Sequence, residues 1–400
     1  MGRIRGRRGR ALRLHKRQHS ARFRRPGLHG QVCRNAALIR VDGGALHAFI
    51  RAALEASGVV AADAAVVADV LLAADRRGVE SHGAARLRSH YLGRIARGVL
   101  TVRPEVRTDR ETVTTARIDA GNGLGHPVSK FAMQRAIDKA REANIGIAAV
   151  HNSNHFGIAG YYAMLALEHD MIGVASTNAS RCVAPTFGRE MMLGTNPFAF
   201  AVPAAAEEPF VLDFATSAVA RGKLEIAIRK GAPLGSGWAI SPDGEPTIDP
   251  PMGLAGALLP LGGRGVDGGG HKGFGMGVLV DILCGVLGGG PFGDELPTST
   301  GTQREGAVSH WFMALNVAAL RDAGGFKADV DRELRTFKES ATAPGRERVY
   351  VPGELEFASA RDADANGVPL RESVFAELQS IAAELKLAAP APFTERARSG

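Results

Sequence analysis

The chain has 400 residues, of which 45% are apolar and 22% are charged, a balance typical of globular proteins that are soluble in water. Its formal net charge of +8 comes from one end, because residues 1–25 contain ten arginines, Lys16 and no acidic residue. These residues contribute +11, so the other 375 carry −3, which excludes a basic surface over the whole folded body. At roughly 150 residues per domain, the length predicts two or three domains with ample core.

Residues 1–35 form an arginine-rich extension for which three interpretations stay open: a disordered segment, an organelle transit peptide, or an arm that binds nucleic acid. A transit peptide is rich in serine, and only Ser20 is present. A nucleic-acid arm usually carries aromatic residues among its arginines, and only Phe23 is present. We favour a disordered extension, because the segment has almost nothing to bury.

Three cysteines, Cys33, Cys182 and Cys284, are odd in number and far apart, so they give neither a disulfide framework nor zinc-ligand spacing. This pattern is typical of a protein in the reducing cytoplasm. The most apolar segment, residues 274–290, is interrupted by Asp281 and several glycines. It is predicted to be a buried helix and not a membrane span.

Apolar residues at helical spacing predict three helices between residues 38 and 98. Gly58 closes the first and Asp63 opens the second. Ser81 is a good N-cap for the third, which ends near Gly98.

The third predicted helix carries a polar face. If it starts at Ser81, then His82, Arg86 and His90 fall at positions i, i+4 and i+8. Arg86 offers a planar fork of donors that matches a carboxylate in bidentate fashion. The alternative is the solvated polar face of an ordinary helix.

From residue 112 the pattern alternates between strands and helices, which predicts an α/β fold around a sheet of mixed direction. The predicted strands are residues 112–120, 145–150, 172–177, 196–203 and 209–215. The predicted helices are one through Met133 and Ala140, then residues 159–168, 216–230 and 274–290, and a last one from Val374 to Leu385.

The segment HNSNHFGIAGYY, residues 151–162, places His151 and His155 between a predicted strand and a predicted helix. Catalytic groups of α/β sheets often lie at such junctions. An unperturbed histidine pKa of about 6.5 suits a reversible proton acceptor. The alternative is that His155 only caps or fills a turn.

The segment GNGLGH, residues 121–126, follows a strand and opens a helix, but it is not a Rossmann fingerprint. The third glycine of the motif is replaced by His126, and the next strand ends in His151 and Asn152 where an acid is expected. We expect a tight turn here.

Other segments carry weaker signals. Lys272 in HKGFG precedes the apolar helix, where a helix start would suit an anion, although a surface loop is equally consistent. Asp213 lies at a strand end, and Asn196 before Pro197 reads as a turn. The histidines have no HExxH motif, cysteine cluster or acid at ligand spacing beside them, so no metal site is predicted.

Taken in chain order, several segments together resemble the malate/L-lactate dehydrogenase family, which is distinct from the Rossmann-type lactate and malate dehydrogenases. The segments are ESHGAARL, DAGNGLGHP, HNSNHFGIAGYYA, GREMMLGTNPFAF, DFATSAVARGK, GALLPLGG, GGHKGFGMGVLVDILCGVLGG and VYVPGE. The resemblance runs from about residue 37 to residue 387. It implies a non-Rossmann three-layer α/β/α core with a mixed sheet, helical N- and C-terminal parts, NAD or NADP as cofactor, and a homodimer.

The resemblance also implies roles for individual residues. The histidine of NHFG, here His155, would be the proton acceptor, and Ser81, His82 and Arg86 would contact the substrate. The cofactor would be bound by Ala179, Ser180, Asp213, Phe214, Ala215, Lys272, Pro352, Gly353 and Glu354. Family members commonly carry a tyrosine nine positions after the serine of SHG. Here that position is His90 and Tyr91 follows, so the substrate contact is left open between the two.

We therefore expect a helical substrate-contacting part, residues 36–110, packed with residues 355–390, and a cofactor-binding α/β core, residues 111–354. The expected reaction is hydride transfer between a nicotinamide and a small 2-hydroxy acid, of malate or L-lactate type, in the cytoplasm. Reduction of a cyclic ketimine is the alternative within the family. A metal-dependent hydrolase and a nucleic-acid-binding protein are the alternatives from other classes, and neither nucleic acid nor a membrane is an expected partner.

Overall fold

The computed structural model describes residues 38–299 and 308–393. The predicted disorder of residues 1–35, with Cys33, falls outside the described residues. The helices are α1 (Gly43–Ala56), α2 (Ala61–Arg76), α3 (Gly93–Ala96), α4 (Gly125–Ala143), α5 (Ala159–Met164), α6 (Gly222–Lys230), α7 (Pro250–Ala255), α8 (Gly270–Asp281), α9 (Ala323–Lys338), α10 (Glu354–Asn366) and α11 (Glu372–Leu385). The strands are β1 (Leu38–Val41), β2 (Arg107–Glu111), β3 (Thr115–Asp119), β4 (Ile145–Ser153), β5 (Met171–Thr177), β6 (Phe198–Val202), β7 (Phe210–Phe214), β8 (Ala239–Ile240), β9 (Pro246–Thr247), β10 (Ala257–Leu258), β11 (Val308–Asn316) and β12 (Val368–Arg371).

Seven strands form the main sheet in the order β2-β3-β4-β11-β5-β6-β7. Among the described strands of this sheet, only β3 and β4 are paired in parallel, and every other neighbouring pair is antiparallel. The predicted α/β fold with a mixed sheet is confirmed. Strand β11, which the sequence did not predict, lies between β4 and β5, so β3, β4 and β5 all end at the same edge of the sheet.

The sheet is covered on both faces, because side chains on a strand alternate between faces. On one face Ala148 and Phe312 pack in a core with residues of α4 and α5. On the other face Ala149 and Trp311 pack against Val280 of α8 and the turn that follows it. This gives the three layers that the family resemblance implied.

The first and last parts of the described chain share a separate core. Strand β1 pairs with β12, and buried residues of α1 such as Leu46 and Ile50 pack in one cluster with Leu378 and Ile381 of α11. No helix of the described residues is both long enough and apolar enough to cross a membrane.

The prediction of one continuous third helix is wrong. The chain instead forms two 3-10 turns, Glu80–His82 and Ala84–Arg86, then a π-helical turn, Leu87–Leu92, and only then α3. The break lies at Gly83, where a Cβ atom would overlap the carboxylate of Asp75. That carboxylate accepts a hydrogen bond from the Ala84 N–H at 2.7 Å, which turns the chain before a regular helix can form.

Three other helix predictions need correction. Helix α5 ends at Met164, short of the predicted residue 168, and α6 begins at Gly222 and not at residue 216. In the latter case residues 216–221 pair with a neighbouring loop, since Ala218 N–H donates to Leu259 O. The segment predicted as a buried helix, residues 274–290, has Leu279 and Ile282 about half exposed in the described chain. The helix face that carries Leu279 and Ile282 is therefore not covered by other described residues.

Candidate active site

A cavity of about 310 Å³ opens at the sheet edge where β4 and β5 end. This volume lies at the lower end of the roughly 300–1,000 Å³ of small-molecule sites. His155 and Arg86, which are distant in the sequence, both line it. Their convergence on one cavity is the geometry that the predicted chemistry requires.

The turn predicted at GNGLGH holds the histidine loop in place. The buried amide of Asn154 donates to Gly123 O at 2.8 Å, and its oxygen accepts from Arg94 Nη2 at 2.6 Å. A Cβ atom at Gly125 would overlap the backbone of Asn154 and His155. Gly125 is therefore required for close packing against Asn154 and His155, and the predicted tight turn is present.

One ring nitrogen of His155 is engaged behind the cavity. Its Nδ1 lies 2.7 Å from the hydroxyl oxygen of Tyr91, which lies 3.2 Å from Nε2 of His126. Tyr91 and His126 are both buried. Since a phenol has one proton to donate, it can donate to only one of the two histidines at a time. The arrangement leaves Nε2 of His155 as the nitrogen available for proton exchange.

The choice between His90 and Tyr91 is resolved in part by the π-helical turn. His90 lines the cavity, whereas Tyr91 lies behind His155. A π-helical turn is wider than an α-helical one and often occurs at functional sites. Here it allows two consecutive residues to lie on two sides of the same imidazole.

The histidines of the cavity are uncharged at neutral pH. Burial, together with the nearby His90, His82, His126 and Arg86, holds the pKa of His155 well below its usual value. Burial and the charge of Arg86 lower the pKa of His82 to about 4 and that of His90 to about 3. A neutral imidazole can accept a proton, and the positive charge of the site belongs to its arginines.

Arg86 is oriented by main-chain and imidazole contacts. Its Nε donates to Ser81 O at 2.5 Å, and Nη1 lies 3.5 Å from His90 Nε2. Among the described residues it has no carboxylate partner. Ser81 does not line the cavity; its hydroxyl lies 2.9 Å from His82 Nδ1. Ser81 is thus placed to orient His82.

Two of the predicted cofactor-binding residues, Ala179 and Ser180, follow β5 and line the cavity. The Ala179 N–H donates to the side-chain oxygen of Asn196 at 3.1 Å, and the amide of Asn196 donates to Gly277 O at 2.9 Å. Asn196 is fully buried and has a positive φ of 38°. We interpreted it only as a turn residue, and its position before a proline gave no signal of this second role.

The other predicted cofactor-binding residues do not line the cavity. Asp213, Phe214 and Ala215 end β7 and follow it at the same sheet edge, and Asp213 accepts a hydrogen bond from Gly160 N–H at 2.7 Å. Lys272 is exposed in the first turn of α8. Pro352, Gly353 and Glu354 lie beside β7, where Pro352 O accepts from Val211 N–H. Their roles stay predictions.

His151, which we grouped with His155 in a loop, belongs to β4 and points to a different site. Its Nε2 lies 2.6 Å from a carboxylate oxygen of Asp109. With Asp119 these residues form a group whose possible metal-ligand atoms lie within 4.8 Å of one another. Arg117 and Arg107 pair with the two aspartates, which satisfies their charge. This group is outside the cavity of His155.

Comparison with known proteins gives a consistent result. The family profile described as malate/L-lactate dehydrogenase matches residues 41–379. The malate dehydrogenase of Pyrococcus abyssi is 41% identical over 345 residues, which are 86% of this chain and 94% of that protein. The L-sulfolactate dehydrogenase of Methanothermobacter thermautotrophicus is 37% identical over 84% of this chain and 95% of its own length.

A solved structure of malate dehydrogenase from Pyrococcus horikoshii OT3 superposes with a TM-score of 0.81 at 39% identity, covering 89% of this chain and 98% of that one. The chain belongs to the malate/L-lactate dehydrogenase family. The predicted family is therefore confirmed, and with it, at the level of the family, the predicted enzyme class of oxidoreductases that act on hydroxy acids. Relatives are named both for NAD(+) and for NADP(+).

In this dehydrogenase a further histidine, His310 of β11, links the two strands that carry the site. Its Nδ1 lies 2.8 Å from Thr177 Oγ1 at the end of β5, and its Nε2 lies 2.8 Å from Ser153 Oγ at the end of β4. Its ring stacks on Phe156 at 4.7 Å. The sequence gave no signal for this residue, because its strand was not predicted.

Proposed function

We propose that this chain is an NAD(P)-dependent dehydrogenase that interconverts a small 2-hydroxy acid and its 2-oxo acid, of malate or L-lactate type. The observation that carries the proposal is that His155, whose pKa is held well below its usual value by burial, and Arg86, which has no carboxylate partner among the described residues, line the same cavity. The imidazole of His155 can act as a base, and the guanidinium of Arg86 can bind a carboxylate. A cavity with both groups can bind a hydroxy acid and accept the proton of its hydroxyl group.

The part of the cavity that follows β5 would hold one end of a nicotinamide dinucleotide. Its walls combine guanidinium groups with the backbone of Ala179 and Ser180, which follow the carboxyl end of β5. Ligands of α/β sheets bind at such strand ends. When bound, the nicotinamide would exchange a hydride with the substrate. NAD and NADP remain equal candidates.

Each residue then has a role that follows from its contacts. Arg86 would bind the substrate carboxylate with its two terminal nitrogens, since its Nε is engaged by Ser81 O. His82, held by Ser81, would orient the reacting oxygen. His155 Nε2 would accept the hydroxyl proton during oxidation and return it during reduction.

The proposal includes a homodimer in the cytoplasm, with the helical part and the cofactor-binding core divided at residues 110 and 354 as expected from the sequence. The exposed apolar face formed by Leu279, Ile282 and Val286, each about half exposed, supports self-association. Sedimentation of the purified protein tests the dimer.

A substrate panel tests the function. Oxaloacetate, pyruvate, 3-sulfopyruvate and a cyclic ketimine acid are each mixed with NADH or NADPH, and the absorbance of the reduced cofactor is followed. We expect turnover of at least one 2-oxo acid. Turnover of the ketimine alone would replace the proposal with an imine reductase, and no turnover of any compound would contradict both.

A further inference from the structure

Tyr91 lies between two histidines behind the cavity. Its hydroxyl oxygen lies 2.7 Å from Nδ1 of His155 and 3.2 Å from Nε2 of His126. Burial raises the pKa of Tyr91 above its usual value, so the phenol keeps its proton and can donate it to one of these two nitrogens. The nitrogen that receives this proton decides where His155 carries its own.

The two alternatives differ in what His155 can do. If Tyr91 donates to His155 Nδ1, the neutral imidazole carries its proton on Nε2, which then cannot accept a proton from a substrate hydroxyl. If Tyr91 donates to His126 Nε2, its oxygen accepts from His155 Nδ1–H, and Nε2 of His155 has a free lone pair. The second arrangement is the one that a proton acceptor needs.

The surroundings of His155 favour the first arrangement. The N–H of Gly157 points to His155 Nδ1 at a nitrogen–nitrogen distance of 3.4 Å, which favours a lone pair on that nitrogen. The shorter of the two contacts of Tyr91 is also to this nitrogen. A second acceptor for the phenol proton is therefore needed to keep the proton of His155 on Nδ1.

His126 has the properties of this second acceptor. It is fully buried in the first turn of α4, and burial lowers its pKa to about 3, so its imidazole is uncharged near neutral pH. Its Nδ1 has no hydrogen-bond partner among the described residues. Burial of an unpaired ring nitrogen costs free energy that an apolar side chain would avoid. Packing alone therefore does not account for a histidine here, and its hydrogen-bond contact is to Tyr91.

Other ionisable groups surround these three side chains. Within the described chain none of them forms a hydrogen bond with the Tyr91 hydroxyl, so they act by charge and do not compete for its proton. These groups are His82, His90 and Arg86 beside His155, Arg94 near Tyr91, and His310 near His126.

We propose that His126 is a positioning residue that accepts the Tyr91 proton and thereby keeps the proton of His155 on Nδ1 and a lone pair on Nε2. The inference rests on the proposed function, because it concerns the proton acceptor of that reaction. His126 does not line the cavity, so it acts on the substrate only through Tyr91 and His155. In Ser-His-Asp triads the wrong histidine tautomer lowers kcat about 10⁴-fold, which gives an upper limit for the effect.

The kinetic test uses the 2-hydroxy acid that the substrate panel identifies. His126→Leu removes the acceptor, and Tyr91 then donates to His155 Nδ1. Because a buried phenol proton without an acceptor is costly, we expect kcat for oxidation to fall about 10- to 100-fold, with the KM for the acid within a factor of about two. His126→Gln keeps an acceptor oxygen and should recover most of the loss.

A double variant separates this role from a structural one. Tyr91→Phe combined with His126→Leu removes the phenol that imposes the wrong tautomer, so kcat should rise above that of His126→Leu and approach that of Tyr91→Phe alone. Ser129→Ala is the matched control, because its hydroxyl is buried on the same helix and has no partner among the described residues. It should leave kcat unchanged.

A spectroscopic measurement on the wild-type protein does not depend on turnover. In 15N spectra of histidine-labelled protein, protonated and bare ring nitrogens resonate in separate ranges, and loss of signals in His126→Gln and His155→Ala assigns the two rings. Near pH 7 we expect a proton on Nδ1 and none on Nε2 in both His126 and His155.

Two results would overturn the inference while the proposed function stands. One is a proton on Nε2 of His126 in the wild-type protein. The other is a double variant whose kcat is no higher than that of His126→Leu. Failure of the wild-type enzyme to act on any 2-hydroxy acid would instead refute the proposed function.

Discussion

The two walls of the cavity are held by different kinds of interaction. The sheet wall, formed by the residues that follow β4 and β5, is fixed by strand pairing and by His310, which bonds to both strands. The helical wall, residues 80–92, lacks a continuous helix; it turns at the contact between Asp75 and Ala84, and Leu87 and Tyr91 pack in the helical core. The protein thus places its proton acceptor on a wall fixed by strand pairing and its substrate-binding groups on a wall of short turns.

The same two groups give the walls opposite responses to pH. Burial, opposed by the bond from Ala84 N–H, raises the pKa of Asp75 to about 7. Burial lowers the pKa of His310 to about 3. Lowering the pH therefore stabilises the helical wall, where the buried Asp75 carboxylate takes up a proton. It destabilises the sheet wall, where the buried His310 imidazole resists protonation.

The largest effect is expected at the sheet wall, for His155→Ala. Loss of a general base typically costs 10²–10⁴-fold, and we expect kcat to fall by about that factor in both directions. Circular dichroism should show an intact fold. His169→Ala, a histidine outside the cavity, is the control. A His155→Ala variant with near-normal turnover would remove the proton acceptor from the proposal.

At the helical wall, Gly83→Ala should destabilise the protein by about 1–3 kcal/mol, since the added methyl group collides with the Asp75 carboxylate. The KM for the acid should also rise, because His82 and Arg86 flank the displaced residue. Urea unfolding and steady-state kinetics measure the two effects. Gly275→Ala is the matched control, because nothing lies within 4 Å of its added carbon. Equal behaviour of the two variants would mean that the contact does not hold the wall.

The opposite pH responses can be measured by unfolding at pH 7.5 and pH 5.5. Because the pKa of His310 is lowered in the folded state, its contribution to the free energy of unfolding is present above about pH 6.5 and is lost as the pH falls. From pH 7.5 to pH 5.5 the free energy of unfolding of the wild type should therefore fall by about 1.4 kcal/mol more than that of His310→Asn. The folded pKa of Asp75 is raised, so its stabilising change appears as pH falls below about 7; the wild type should gain about 2 kcal/mol relative to Asp75→Asn. Changes of the same sign in both comparisons would contradict the contrast between the walls.

The smallest effect is expected where the walls meet, for Tyr91→Phe. Removing a neutral hydrogen bond of about 1 kcal/mol should lower kcat three- to tenfold and leave the KM for the acid within a factor of two, since Tyr91 does not line the cavity. A protonated His155 donates its Nδ1 proton to the Tyr91 hydroxyl, so the pKa of His155 should fall in Tyr91→Phe. The acid limb of the pH profile of kcat/KM for oxidation should then move about half a pH unit lower or more. Tyr161→Phe serves as the control. An unchanged acid limb would reduce Tyr91 to a packing residue.

The sequence predicted the parts of the fold whose signal is local. The apolar runs IGIAAV and IGVAST, and the helical spacing from Met133 to Ala140, correspond to β4, β5 and α4. Strand β11 was missed, and so was the break at Gly83, because the latter is caused by a carboxylate on another helix. Long-range contacts of this kind leave no periodicity in the chain.

The candidate site was predictable to a similar extent. His155, His82 and Arg86 line one cavity as their motifs implied, whereas Ser81 does not line it. His126 and Tyr91 became meaningful only when the distance to His155 was known. The sequence shows His126 only as the residue that replaces the third glycine of a nucleotide motif, whereas in the structure its buried Nε2 lies 3.2 Å from the Tyr91 hydroxyl oxygen.

The late position of β11 has a consequence for synthesis of the chain. β4 and β5 leave the ribosome more than 130 residues before the strand that separates them, so each exposes an unpaired edge until β11 emerges. Unpaired edges recruit other strands, and pairings between residues far apart in sequence form slowly. Until β11 emerges, the nascent protein therefore exposes two strand edges that can pair with other chains, and the sheet can close only after residue 308 has been made.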